Sequence, residues 1–188
     1  MDELAGIILA AGEGSRMKSR TPKVLHCLCG KELLRFPVEL LGKLGMTRIV
    51  VVVSPANREA IKGLLGDTVE YAVQEARSGT VGAVESAAST LQGHFEQVVV
   101  IGGDAPLVAE DSVRRLIDGH IQDSRQMSIL SGIVQVSQGL GRISRDLGSQ
   151  QNVLGIVEAN DDTGRTGEPI EINSGVYCFQ ADWLWENL

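Results

Sequence analysis

Long apolar runs are missing from this sequence. No stretch is long enough to span a bilayer as a helix, which excludes a helical membrane protein. A surplus of positive charge is missing too. Lys and Arg number 17 against 24 Asp and Glu, a formal charge of −7 over 188 residues. Nonspecific binding to nucleic acid or to an anionic membrane draws on the opposite excess, so neither is expected as a partner. No cleavable signal pattern opens the chain, because Asp2 and Glu3 stand where a basic region would be. Cysteine is scarce: Cys27, Cys29 and Cys178 make an odd count, and Cys27-x-Cys29 has no second ligand pair at zinc-site spacing. The three histidines, His26, His94 and His120, are scattered and form no metal cluster. Reduced thiols in an acidic cytoplasmic chain is the reading these absences leave. Internal repeats and low-complexity segments are also absent.

What is present suits one domain with a real core, since hydrophobic residues make up 43% and charged ones 22% of the chain. An apolar run over residues 4–11 predicts a buried strand. Helices are predicted at 36–44, with Pro37 tolerated in the first turn, at 56–65, at 78–91 and at 111–120. Strands are predicted at 48–54, which is β-branched and apolar throughout, and at 69–73 and 98–101. Further strands are expected at 127–136, 141–144, 153–157 and 175–179, and a polar loop at 160–168. Strand–helix alternation through the first two thirds implies βαβ units and a parallel sheet, and the later strands an antiparallel excursion. The predicted class is therefore α/β, with a mixed, mainly parallel central sheet.

The first strand empties into Leu9-Ala10-Ala11-Gly12-Glu13-Gly14-Ser15-Arg16-Met17, with Pro22-Lys23 close behind. Gly12 and Gly14 allow backbone N–H groups to crowd around an anion. Arg16 offers a bidentate fork to phosphate oxygens, and Lys23 a compact charge. The same glycines would also serve a plain strand-to-helix turn. Neither of two better-known loops fits: a dinucleotide fingerprint and a Walker A loop both require Gly where Met17 stands. The 98–101 strand ends in Gly102-Gly103-Asp104-Ala105-Pro106. Ligands of open α/β sheets sit beyond the carboxyl ends of the strands, so both motifs can face one site. Asp104 is a hard oxygen ligand suited to Mg²⁺ against nucleotide phosphates, or a turn Asp before Pro.

The stretch Leu-Ala-Ala-Gly-x-Gly-x-Arg-Met with Pro-Lys resembles the signature of the sugar-phosphate nucleotidyltransferases. The short gap from Arg16 to Lys23, followed by Val24-Leu25-His26, is most similar to the uridylyltransferase half of the bacterial bifunctional N-acetylglucosamine-1-phosphate enzymes. Gly103-Asp104-Ala105-Pro106-Leu107 resembles that family's metal segment, with Gly102 where relatives often carry Tyr. Gln74-Glu75-Ala76 with Gly79-Thr80 resembles its uracil-reading segment. Gly139-Leu140-Gly141-Arg142-Ile143, Gly155-Ile156-Val157-Glu158 and Ile172-Asn173-Ser174-Gly175 follow in the family's order. The resemblance implies a Rossmann-like, glycosyltransferase-A-like three-layer sandwich. It implies nucleotide contacts at Ala11, Gly12, Gly14, Gln74, Gly79, Thr80 and Gly103, and catalytic cations at Arg16 and Lys23. It further implies sugar contacts at Gly141, Glu158 and Asn173, and Mg²⁺ on Asp104.

The implied reaction takes UTP and N-acetylglucosamine 1-phosphate to UDP-N-acetylglucosamine and pyrophosphate. A sugar phosphate is mostly dianionic at neutral pH, its second pKa being about 6, so no general base is required. Full-length relatives continue beyond the residue matching Leu188, with an Asn that is a second metal ligand and a β-helical acetyltransferase domain that builds their trimer. Residues 1–188 are thus expected to be a nucleotidyltransferase domain without those parts, and no oligomeric state is implied. Two other readings stay open: a nucleotide-sugar binding module without turnover, and a transferase for another nucleobase or sugar phosphate.

Overall fold

The computed structural model describes residues 2–12, 14, 17–76, 78–135, 139–146, 152–158 and 169–188, with the backbone alone for residues 2 and 3. Its elements are β1 (Asp2–Leu9), β2 (Cys27–Leu28), β3 (Lys31–Glu32), α1 (Arg35–Lys43), β4 (Arg48–Val53), α2 (Arg58–Leu65), β5 (Glu70–Val73), α3 (Gly79–Glu85), α4 (Ala88–Leu91), β6 (Phe95–Gly102), α5 (Glu110–Gln122), β7 (Met127–Val134), β8 (Arg142–Arg145), β9 (Val153–Val157), β10 (Ile170–Gln180) and α6 (Ala181–Glu186). They fall into two compact units, Met1–Ser128 with Tyr177–Leu188, and Ile129–Val176.

In the larger unit the strand order is β5-β4-β1-β6, all parallel, and residues 177–180 of β10 run antiparallel along β6. The four valines 50–53 of β4 are fully buried. Successive side chains of a strand point to opposite faces, so a run without alternation marks a strand covered on both sides. One face packs Ile7, Val50, Val52, Val98 and Val100 against Val84 and Ala87, Leu91 of α4 and Leu184 of α6. On the other face Gly6 lies against Leu41 of α1: an added Cβ would come within 2.6 Å of its Cδ1. The sheet of this unit is thus the middle of three layers. Burying a Val, Leu or Ile side chain contributes about 1.5–3 kcal/mol, so these two faces carry the fold.

The expected parallel strands and helices appear, with local differences. The helix predicted over 78–91 is two helices, α3 and α4. Ser86 donates its hydroxyl to Gly82 O at 2.8 Å, and the Ala87 N–H reaches Val84 O at 2.9 Å. Such back-bonding and i→i−3 tightening interrupt an α-helix. A tight β2–β3 hairpin, turning through Cys29 and Gly30 at positive φ, had no sequence expectation.

The smaller unit pairs β8 antiparallel with β9, with an irregularity at Ser144/Arg145, and β10 pairs with both β8 and β7. Arg145 forks onto Glu171 from Nε and Nη2, both at 2.6 Å, and Ser131 donates to the same carboxylate at 2.6 Å. The predicted 160–168 loop lies outside the described residues.

Candidate active site

The carboxyl ends of β1 and β6 are tied together. Gly103 N–H donates to Leu9 O at 2.9 Å, and Gly103 is buried there. A Cβ on Gly103 would stand 3.0 Å from Leu9 O and 3.1 Å from both Leu34 Cδ1 and Val24 Cγ1. Glycine therefore lets the β6 end nest against the β1 end, and it aims the next residue, Asp104, across the sheet top.

Gly14 sits at φ +62°, and a Cβ on it would come within 2.6 Å of Lys23 Cβ. The bare backbone makes room for the Lys23 stem. Pro22 leads into a 3₁₀ turn at Lys23–Leu25, whose Val24 is buried. Held this way, Lys23 forms an ion pair with Asp104. The two motifs expected to converge do converge, through these two side chains. Gly12 is exposed and Ala11 half-buried. Lys18 and Arg20 are exposed. Arg16 lies outside the described residues.

Both partners of the ion pair are open to solvent, at 42% for Lys23 and 34% for Asp104. An exposed pair of this kind is worth about 0–1 kcal/mol. Each group can therefore exchange its partner for a phosphate or a metal ion at little cost. Asp104 fits Mg²⁺ on two grounds: its carboxylate is a hard oxygen donor, and it already holds a cation in the form of the Lys23 ammonium. Among the described residues no three His, Cys, Asp or Glu side chains form a metal cage.

Gln74 continues the β4–β5 ladder, its N–H donating to Val53 O at 2.8 Å. Its carboxamide Nε2 donates to Gly79 O at 2.9 Å and reaches Ser78 Oγ at 3.4 Å. The amide nitrogen thus clamps the turn at the start of α3. Gly82, which sequence reasoning passed over, allows this: a Cβ there would lie 2.6 Å from Ser78 Cβ and 3.6 Å from Gln74 Nε2. Gly79, at φ +74°, and Thr80 are exposed.

Asn57 was also passed over. It is 4% exposed, one of two buried polar residues among those described. Its Oδ1 accepts from Ser54 N–H at 2.9 Å and its Nδ2 donates to Ala10 O at 2.8 Å. An Asn opening a helix after a strand reads as an ordinary N-cap, yet no cap bond is made. Only the fold reveals that its side chain crosses to β1.

In the smaller unit the three residues expected to hold sugar come together. Asn173 N–H donates to Gly141 O at 2.9 Å, and Asn173 Oδ1 accepts from Gly175 N–H at 2.9 Å. Glu158 Oε1 lies 4.0 Å from where a Gly141 Cβ would be, and Glu158 is exposed. A Cβ at Gly141 would also meet Ile156 Cγ2 at 2.7 Å, so glycine is what fits between β9 and this cluster.

Comparison with known proteins places the chain in a family. The chain is 41% identical over 179 residues to the bifunctional protein GlmU of Caldanaerobacter subterraneus subsp. tengcongensis, covering 94% of this chain and 38% of the relative. It is 38% identical to GlmU of Geobacter metallireducens over 99% of this chain and 39% of the relative. For GlmU of Halalkalibacterium halodurans the identity is 35%, over 100% of this chain and 41% of the relative. The chain thus spans about two fifths of the length of these relatives. In fold it is similar to a crystal structure from Bacillus anthracis, described as a candidate glucose-1-phosphate thymidylyltransferase in complex with sucrose. The TM-score is 0.81 at 19% identity, covering 98% of this chain and 75% of that one. Residues 6–139 match the MobA-like NTP transferase domain. With the glycine turn and the Lys23–Asp104 pair lying inside that match, the chain belongs to the MobA-like NTP transferase family and is a nucleotidyltransferase.

Proposed function

We propose that this domain transfers UMP from UTP to N-acetylglucosamine 1-phosphate, releasing pyrophosphate and forming UDP-N-acetylglucosamine. The observation that carries the reading is the Lys23–Asp104 pair at the joined ends of β1 and β6, in a chain 35–41% identical to GlmU proteins. The acceptor is already a dianion near neutral pH, so the work is to bring two anions together and to stabilise charge on an in-line transition state. Arg16 takes the β- and γ-phosphates. Lys23, released from Asp104, takes the α-phosphate or the sugar phosphate. The backbone N–H groups of Ala11, Gly12 and Gly14 meet the phosphates or the ribose, while Gly103, whose own N–H is taken by Leu9 O, lines the nucleotide site without donating to it. Gln74 Oε1 accepts from the uracil ring N–H, with Gly79 and Thr80 beside it. Glu158, Asn173 and the Gly141 backbone bond the sugar. Asp104 would hold Mg²⁺, which when bound neutralises charge on the phosphate oxygens.

The test is Mg²⁺-dependent pyrophosphate release from UTP by the purified chain. Release should need N-acetylglucosamine 1-phosphate as the second substrate. Arg16→Ala and Asp104→Ala should each lower turnover by about 10²-fold or more without moving the urea midpoint. Full activity in either variant removes that residue from the scheme. UTP binding without release would instead fit a binding module, and absence of both would sink the nucleotide reading. Substrate panels with other nucleotides and sugar phosphates decide selectivity.

A further inference from the structure

The pairing of β1 with β4 stops one rung early, and Asn57 is the reason. Their parallel register aligns Leu9 with Val52, and Ala10 N–H donates to Val52 O at 2.8 Å. In a parallel ladder the next rung joins Ser54 N–H to Ala10 C=O. Those two groups are the ones that Asn57 takes, accepting from Ser54 N–H with Oδ1 and donating to Ala10 O with Nδ2. A primary carboxamide has the donor and acceptor needed to replace a backbone rung. Two hydrogen bonds in series stand where one would. Both backbone groups are satisfied, each by the Asn57 amide rather than by the other.

We propose that Asn57 is a positioning residue, a polar wedge that opens the sheet between β1 and β4 and thereby sets the backbone of the 10–12 turn for nucleotide. This rests on the reading that the glycine turn and Gln74–Thr80 take UTP. Strand order supports it: β4, which leads through Ser54 to the wedge, lies between β1, which feeds the glycine turn, and β5, which feeds Gln74. The wedge therefore sits at the strand end between the proposed phosphate and base contacts. Asn57 touches no substrate in this account and acts through Ala10.

The wedge makes an unusual prediction for two variants. Asn57→Ala orphans Ser54 N–H and Ala10 O, but these can close on each other as the missing rung. Asn57→Asp keeps the acceptor for Ser54 N–H, yet sets a carboxylate oxygen against Ala10 O, and so blocks that closure. The aspartate variant should therefore have the lower urea midpoint in the ligand-free protein, although it is nearly isosteric. UTP affinity, measured calorimetrically with Mg²⁺, should fall about tenfold or more in Asn57→Ala, since small misplacements of a binding backbone are costly. Leu184→Ala, which empties a buried site in α6, should lose stability and keep UTP affinity. An alanine variant less stable than the aspartate variant overturns the wedge. UTP affinity within twofold of wild type in Asn57→Ala overturns the positioning role. A wild-type chain that binds no UTP defeats the functional reading and the nucleotide clause together, while the order of midpoints still decides whether the wedge exists.

Discussion

Two glycines in one phosphate turn should respond in opposite ways to the same substitution. At Gly14 the backbone is at φ +62°, where an L-residue costs about 1–2 kcal/mol. A Cβ there would also stand 2.6 Å from Lys23 Cβ and 3.5 Å from Lys23 Cα, atoms that cannot swing aside as a side-chain tip can. Overpacking of this kind adds about 1–3 kcal/mol. Gly14→Ala is therefore expected to cost about 2–5 kcal/mol, or a Tm lower by roughly 4–20 °C for a chain of this size. Gly12 has no positive φ, and a Cβ on it meets nothing within 4 Å. Gly12→Ala should leave stability unchanged or raise it by about 0.4–1 kcal/mol by restricting the unfolded chain. Urea unfolding followed by tryptophan fluorescence measures both. If Gly12 serves only close approach to phosphate, its variant should lose UTP affinity at full stability, whereas the Gly14 variant loses both because Lys23 is displaced. A Gly14→Ala midpoint matching wild type, or equal losses at both positions, would refute the steric reasoning.

Other outcomes follow from charges and thiols elsewhere. Arg145 first, and Ser131 with it, hold the Glu171 carboxyl below its ordinary 4.5 despite burial. Its contribution is therefore present above that value and is lost as pH falls through the folded pKa. Glu171→Gln should cost about 1–3 kcal/mol at neutral pH and flatten the acid limb of the stability curve; an unchanged limb contradicts the pair. Burial, and then Arg125, push His120 below its ordinary 6.5. It bonds Gln97 Oε1 at 3.0 Å and Ser128 Oγ at 2.9 Å, so the neutral ring donates from Nε2 and accepts at Nδ1. The unfolded chain binds the proton first, so stability should start to fall as pH drops below about 6.5 and level off below the folded pKa. An NMR titration placing His120 at or above 6.5 would be the contrary result. Cys27 and Cys29 are exposed, whereas Cys178 is buried with its pKa pushed up to about 12. A thiol reagent should modify two cysteines in the native chain and reach the third only in urea, and three fast thiols would contradict the packing.

The sequence by itself determined the layers and the strand ends that carry the candidate site. The unbroken valines of β4 and the apolar start of β1 could only be strands covered on both faces. Gly-x-Gly and Gly-Asp-x-Pro pointed to the carboxyl ends of two parallel strands, and the structure brings Gly14, Lys23 and Asp104 together there. Periodicity and turn chemistry are local, so a linear reading recovers them. The break at Ser86, the Gly14–Lys23 contact and the wedge at Asn57 lay beyond that reach. A hydroxyl can bond back along its own helix or face solvent, and only packing chooses between the two. Gly14 looked like a phosphate glycine and proved also to be a space for Lys23, because a turn nine residues later folds back upon it. Asn57 carried no expectation inside the helix predicted over 56–65. Its bond to Ala10 joins positions 47 residues apart, and that partner exists only once β4 has docked beside β1. Tertiary structure decided these points because each depends on an atom brought near by the sheet, whose register sets which groups are left to pair.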